Sequence, residues 1–251
     1  MSNGVIVCRP PGCYLGNSSM SSLHARAHAE WVGAELQMDA WIGEKVFDVP
    51  INRVTEANAN LPVRSEMDLR PDETNVCIRG YAQRREAMIY TRTQARSWLK
   101  LSHSWAFVMP ENHPLPNYDA VIAHRRVGDF AGPNSLWPIV SERCIIAHIC
   151  ATFEISHRKI EIVCPETEDA KHLPAELHFL PDFYRLVHSE FLIRGNSSFS
   201  FLAALLSNAS HIWSPRIDGL TGGVEADVAF ERGNHCKLGN FDLCSDLHVA
   251  N

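Results

Sequence analysis

Short runs of β-branched and aliphatic residues alternate along this chain with stretches of helical periodicity, and this alternation limits the fold more than any other feature. Strands that read as unbroken apolar runs are buried on both faces. Helices placed between them supply the crossovers that parallel pairing needs. Val5–Cys8 is such a run. Pro10-Pro11-Gly12 turns the chain, and helical spacing from Ser19 to Gly33 sets Met20, Leu23, Ala27 and Trp31 near one face, with Gly33 as the C-cap. Glu35–Met38 and Asn75–Arg79 read as further strands, and Thr91–Leu101 as a helix. Residues 52–70 are polar and without clear period.

Pro110, Pro114 and Pro116 fall within ten residues, Met109 to Tyr118, a composition that marks a crossing between domains. A second series follows it. Ala120–Ala123, Lys159–Cys164, Phe191–Arg194 and His211–Ser214 read as strands, and Ile139–Phe153, Asp182–His188 and Ser197–Ser207 as helices. Beyond Gly219 the chain is Gly-rich and polar, and reads as a wrapping tail. The expected division is a first domain over 1–112, a second over 113–225 and a tail over 226–251.

Composition narrows the function. The 251 residues carry a formal charge of -6, which argues against a nucleic-acid partner. No apolar run approaches the roughly 18 residues of a membrane span, and the N-terminus has no basic leader with an apolar core, so a cytoplasmic location is expected. The 8 cysteines include no Cys-x-x-Cys pair; Cys8, Cys144, Cys150 and Cys164, set among apolar neighbours, read as reduced and buried. His24 and His28 lack the glutamate and third ligand of a zinc helix and read as ordinary helix-face residues; no metal is expected.

Three segments carry the chemistry. His124-Arg125-Arg126-Val127-Gly128-Asp129-Phe130 follows a strand directly, where open α/β sheets bind ligands. Paired guanidinium groups and a glycine suit phosphate oxygens, although a solvated charged turn is the commoner role of such a segment. Asn196-Ser197-Ser198-Phe199-Ser200 joins a strand to a helix, so its hydroxyls either cap the helix or, with the free amides, hold a phosphate. Gly12-Cys13-Tyr14-Leu15-Gly16-Asn17 follows the first strand but matches neither the dinucleotide nor the P-loop fingerprint.

In this order, the Gly-x-x-x-Gly-Asn turn, the His-x-Arg-x-Gly-Asp-Phe segment and Asn-Ser-Ser-Phe-Ser, the last preceded by Asp182, resemble the α-1,2-fucosyltransferase superfamily. The resemblance covers about 5–50 and 119–225. It implies an α/β fold of GT-B type, two Rossmann-like halves facing a cleft, and a metal-independent inverting transfer of fucose from GDP-fucose to a glycan hydroxyl. It needs no cofactor beyond the nucleotide-sugar donor. It assigns the donor diphosphate to Arg126, with Asn196, Ser197, Ser198, Phe199 and Ser200 around it and Asp182 near the base or ribose. Gly16 and Asn17 are assigned to donor binding, Asn17 facing the sugar and acceptor, and Asp129, then His124, would take the acceptor proton. Phe201-Leu202 stands where the family has Trp-Trp, and Val127 where it has a second arginine. Another GDP- or UDP-sugar on the same fold, or an inactive carbohydrate- or nucleotide-binding module, are the alternatives.

Overall fold

A computed structural model of the chain describes residues 4–12, 14–82, 87–105, 109, 120–125, 159–163, 173–195, 197–209, 211–213, 215–218 and 223–226. The chain forms two compact units, the first running through Trp105. The proline-rich crossing, apart from Met109, the expected helix over 139–153, and Cys144, Cys150 and Cys164 lie outside the described residues.

The first unit holds a five-stranded sheet. Its strands are β1 (Val5–Cys8), β2 (Glu35–Met38), β3 (Asn52–Arg53), β4 (Val63–Arg64) and β5 (Val76–Ile78), in the order β3-β2-β1-β5-β4. Every pairing is parallel: Ile6 sits beside Leu36 on one side and Val76 on the other. Ile6, Val7, Cys8, Val76, Cys77 and Ile78 are all buried, which is why these strands read as continuous apolar runs and not as alternating ones. The two-residue strands β3 and β4 were hidden in the polar stretch 52–70, because an edge strand that short carries no periodicity to read.

Helix α1 (Leu15–Val32) begins earlier than its spacing predicts, so Gly16 and Asn17 lie in its first turn and not in a loop. Its burial is also wider than a single stripe, with Ser18, Ser19, Ser21, Ser22 and Ala25 all covered. Small side chains let the helix settle closely on the sheet, and their hydroxyls bond locally: Ser18 Oγ to Pro11 O at 2.6 Å and Ser22 Oγ to Ser19 O at 3.0 Å. Trp31, expected on the core face with Met20 and Leu23, is instead 78 % exposed. Gly33 ends the helix at φ 66°, the left-handed conformation in which its amide reaches back to the last carbonyls. His24 and His28 are buried and tie α1 to the chain beyond: His24 Nδ1 bonds Ala87 O at 2.7 Å and His28 Nε2 bonds Glu73 O at 2.8 Å. Helix α2 (Arg92–Trp98) starts on a capping box, Thr91 Oγ1 accepting from the Gln94 amide and Gln94 Oε1 from the Thr91 amide. It stops short of the expected Leu101 because Leu99 leaves helical geometry at ψ 68°.

The second unit holds a four-stranded parallel sheet of β6 (Val121–His124), β7 (Ile160–Val163), β8 (Phe191–Ile193) and β9 (His211–Trp213), ordered β7-β6-β8-β9. Helix α3 (Leu180–Val187) precedes β8, and α4 (Ser198–Leu206) joins β8 to β9. Leu180, Phe183 and Leu186 of α3, and Phe201, Leu202 and Leu205 of α4, are fully buried. An ion-pair chain ties α3 to the sheet: Glu161 on β7 accepts from Lys159 at 2.8 Å and from Arg185 of α3. After β9 come β10 (Pro215–Asp218) and β11 (Gly223–Ala226), paired antiparallel, so a strand stands beyond Gly219 where the chain reads as a wrapping tail.

Candidate functional site

Strand order decides where the second sheet opens. From β6 the chain passes outward to β7; from β8 it passes outward the other way, to β9. Neighbours whose connections leave in opposite directions form a crevice at their carboxyl ends, where open α/β sheets bind ligands. His124 ends β6, and Arg194-Gly195 follows β8, so two of the segments singled out in the sequence meet at this switch point.

They meet closely. A Cβ on Gly195 would stand 2.8 Å from the His124 carbonyl oxygen and 2.9 Å from its Nδ1, so only glycine lets the loop pass over the end of β6. The His124 ring packs on Phe199, centroids 5.5 Å apart, and Phe199 also meets Phe179 at 5.9 Å and Phe183 at 5.4 Å. This aromatic cluster fixes the start of α4 against both β6 and α3.

The loop itself is locked by its hydroxyls. Ser197 is the N-cap of α4 and accepts from the Ser200 amide at 3.3 Å. Ser200 Oγ donates to Gly195 O at 3.0 Å, and Phe201 N bonds Ser197 O at 3.0 Å. Ser200, expected among the donor-holding residues, is fully buried and its hydroxyl is used inside the turn. Capping, one of the two roles open to these serines, is what the Ser197 side chain does. Ser198 in the first helical turn is half-buried, and its amide and that of Phe199 precede the first intrahelical bond of α4.

His124, Asp182, Ser197 and Phe199 are buried as well, at 8 % exposure or less. They form the framework beneath the loop. Asp182 lies in the first turn of α3, next to Phe183 of the aromatic cluster. Arg126, Asp129 and Asn196 lie outside the described residues. Gly16 and Asn17 belong to the first unit, Gly16 buried and Asn17 half-buried.

One residue escaped the sequence reading. Arg194 is 1 % exposed, the bulkiest fully buried side chain described, with its guanidinium over the Phe201 ring at 5.6 Å and Nη1 bonded to Gly195 O at 3.4 Å. A cation held three residues before the Ser197 N-cap sets a positive potential behind that loop. An arginine closing an apolar strand and followed at once by Gly-Asn-Ser was the signal available for it.

No protein-family model and no curated protein matches the chain. Solved structures do. NodZ α-1,6-fucosyltransferase co-crystallised with GDP superposes with a TM-score of 0.55 at 15 % identity, covering 90 % of this chain and 99 % of that one. Fucosyltransferase NodZ from Bradyrhizobium gives 0.54 at 13 %, covering 90 % and 99 %. A variant of Arabidopsis thaliana FUT1 in complex with GDP gives 0.54 at 11 %, covering 92 % of this chain and 76 % of that one. The fold is that of the GT-B fucosyltransferases. Within this fucosyltransferase fold, the His124–Gly195 crevice closes the carboxyl edge of the second sheet, and the Arg9–Pro11 turn follows β1 at the corresponding edge of the first.

Proposed function

We propose that the chain is a glycosyltransferase that takes a nucleoside-diphosphate sugar, GDP-fucose, on its second unit and passes the sugar to a glycan hydroxyl. The observation that carries this reading is the meeting of β6 and the Arg194–Ser200 loop at the switch point, on a fold whose solved counterparts include fucosyltransferase NodZ soaked with GDP-fucose. The two units, the first through Trp105, would serve as acceptor side and donor side.

Departure of a nucleoside diphosphate leaves negative charge on the leaving oxygen, while the sugar becomes oxocarbenium-like. Fixed positive charge and oriented amides placed there beforehand lower the barrier, each such donor contributing about 2.7–4 kcal/mol by analogy with oxyanion holes. Arg126 is proposed as the direct diphosphate contact, with Asn196, Ser198 and the first amides of α4 beside it. Arg194 acts as a positioning residue: buried, it supports the loop through Gly195 and adds to its field. Asp182 would fix α3 near the base or ribose. Asp129 is proposed as the base that takes the acceptor proton in an inverting, metal-independent displacement. The burial of His124 under Gly195 and Phe199 favours a supporting role for it over direct proton transfer. Gly16 and Asn17 would line the acceptor side.

Nucleotide-dependent thermal unfolding tests the donor. GDP is expected to raise the melting temperature and UDP to leave it unchanged, since only a ligand bound by the native state stabilises it. A donor screen for nucleoside diphosphate release follows. Release from GDP-fucose that Arg126→Ala abolishes supports the enzyme; a GDP shift without release from any donor marks a binding module instead.

A further inference from the structure

The first unit has a cavity of its own, about 590 Å³, on the flank formed by the second half of α1 and the chain after β4. Trp31, Leu69 and Ile89 give it apolar walls, and His24, His28, Glu30, Glu66 and Gln94 its polar groups. Trp31 is 78 % and Ile89 51 % exposed, unusual for residues of their size.

Acceptors outnumber donors in the lining, Gln94 contributing a side-chain amide. His24 Nδ1 faces the Ala87 carbonyl at 2.7 Å, and a carbonyl only accepts, so Nδ1 carries the proton. His24 Nε2 is therefore a bare acceptor, and it has no hydrogen-bond partner although His24 is 3 % exposed. Burial holds this imidazole in its neutral form by lowering its pKa. Glu66 and Glu30, the latter also accepting from Arg26 at 3.3 Å, add carboxylate acceptors, and among the described lining residues there is no lysine or arginine. A ligand that offers several hydroxyl donors on one edge and an apolar face to an indole fits, and a sugar ring is both.

We infer that this cavity binds a neutral saccharide unit, stacked on Trp31 with its hydroxyls donated to His24 Nε2 and the two carboxylates. The inference does not rest on the proposed donor site, because every described lining residue belongs to the first unit. In a transferase it would hold a glycan at a point separate from the transferred hydroxyl.

Saturation-transfer NMR on the full chain, with the methyl glycosides of glucose, galactose, mannose and N-acetylglucosamine as probes, tests this. At least one glycoside is expected to bind, to bind roughly tenfold more weakly to Trp31→Ala and to His24→Asn, and to stay bound under saturating GDP. Asn keeps a donor at the Nδ1 position and removes the Nε2 acceptor; Trp31→Ala changes an exposed residue, so it retains the test if the His24 variant does not fold. Four results overturn the inference: no glycoside binds, binding ignores Trp31→Ala, GDP displaces the sugar, or spermidine occupies the cavity in its place. The GDP thermal shift, read on the same protein, reports on the donor site separately.

Discussion

The Gly195 Cα lies against the end of β6 so tightly that a Cβ would stand 2.8 Å from the His124 carbonyl oxygen. That approach joins the carboxyl ends of β6 and β8, and it sets where the Ser197–Ser200 turn can sit.

Gly195→Ala is therefore expected to force backbone apart in the core of the crevice. The fold should lose about 1–3 kcal/mol, the range for overpacking, and the GDP-induced rise in melting temperature should disappear with the loop geometry. Thermal unfolding with and without GDP reads both. An unchanged GDP shift in this variant would separate the turn from nucleotide binding.

Arg194 supports the same turn from within. Replacing it by methionine keeps apolar volume but removes the charge and the bond to Gly195 O. GDP affinity is expected to fall by about 1.5–3 kcal/mol, the scale of a charged hydrogen bond, with lysine restoring part of it because the charge returns without the planar fork. Calorimetric titration distinguishes this from a packing role, which would lower stability in both variants alike and leave affinity untouched.

The Glu161 ion-pair chain gives a pH signature. Burial by itself raises this carboxyl, but Lys159 and Arg185 outweigh it and hold its pKa below the ordinary 4.5. A depressed folded value means the unfolded chain binds the proton more readily. The stabilisation is thus complete above about 4.5 and is lost as pH falls through the folded value. Denaturant titrations from pH 7 to pH 3 should show a steeper loss in the parent chain than in Glu161→Gln, the two curves converging at the acid end.

Cys8 tests the packing of the first sheet. Burial pushes its thiol up to about 12, with the bond to Ser21 opposing the rise, and burial likewise raises Cys77, which sits opposite Val7 on β5. Neither thiol is a nucleophile near neutral pH. Iodoacetamide at pH 8 should leave both unmodified in the folded chain and label both in denaturant, as read by peptide mass spectrometry.

The central strands were legible because buried parallel strands must be apolar on both faces, so Val5–Cys8 and Phe191–Ile193 stand out by residue type alone. Helix starts at Thr91 and Ser197 were legible for a local reason too: the cap bonds its own next turn. Trp31 was not, since period places a residue on a face while only the neighbouring elements decide whether that face is covered. The short strands β3 and β4 and the hairpin β10–β11 likewise exist only through their partners.

For the candidate site the division is the same. By itself the amino-acid order determined that hydroxyls and a glycine follow an apolar strand and that His124 closes another, since both facts are local. Only the tertiary structure decided that these ends are neighbours, that Ser200 spends its hydroxyl inside the turn, and that Arg194 is buried under it. Strand order is a choice among non-local pairings, and the burial of a cation depends on every element packed around it; neither is written in any single stretch of chain.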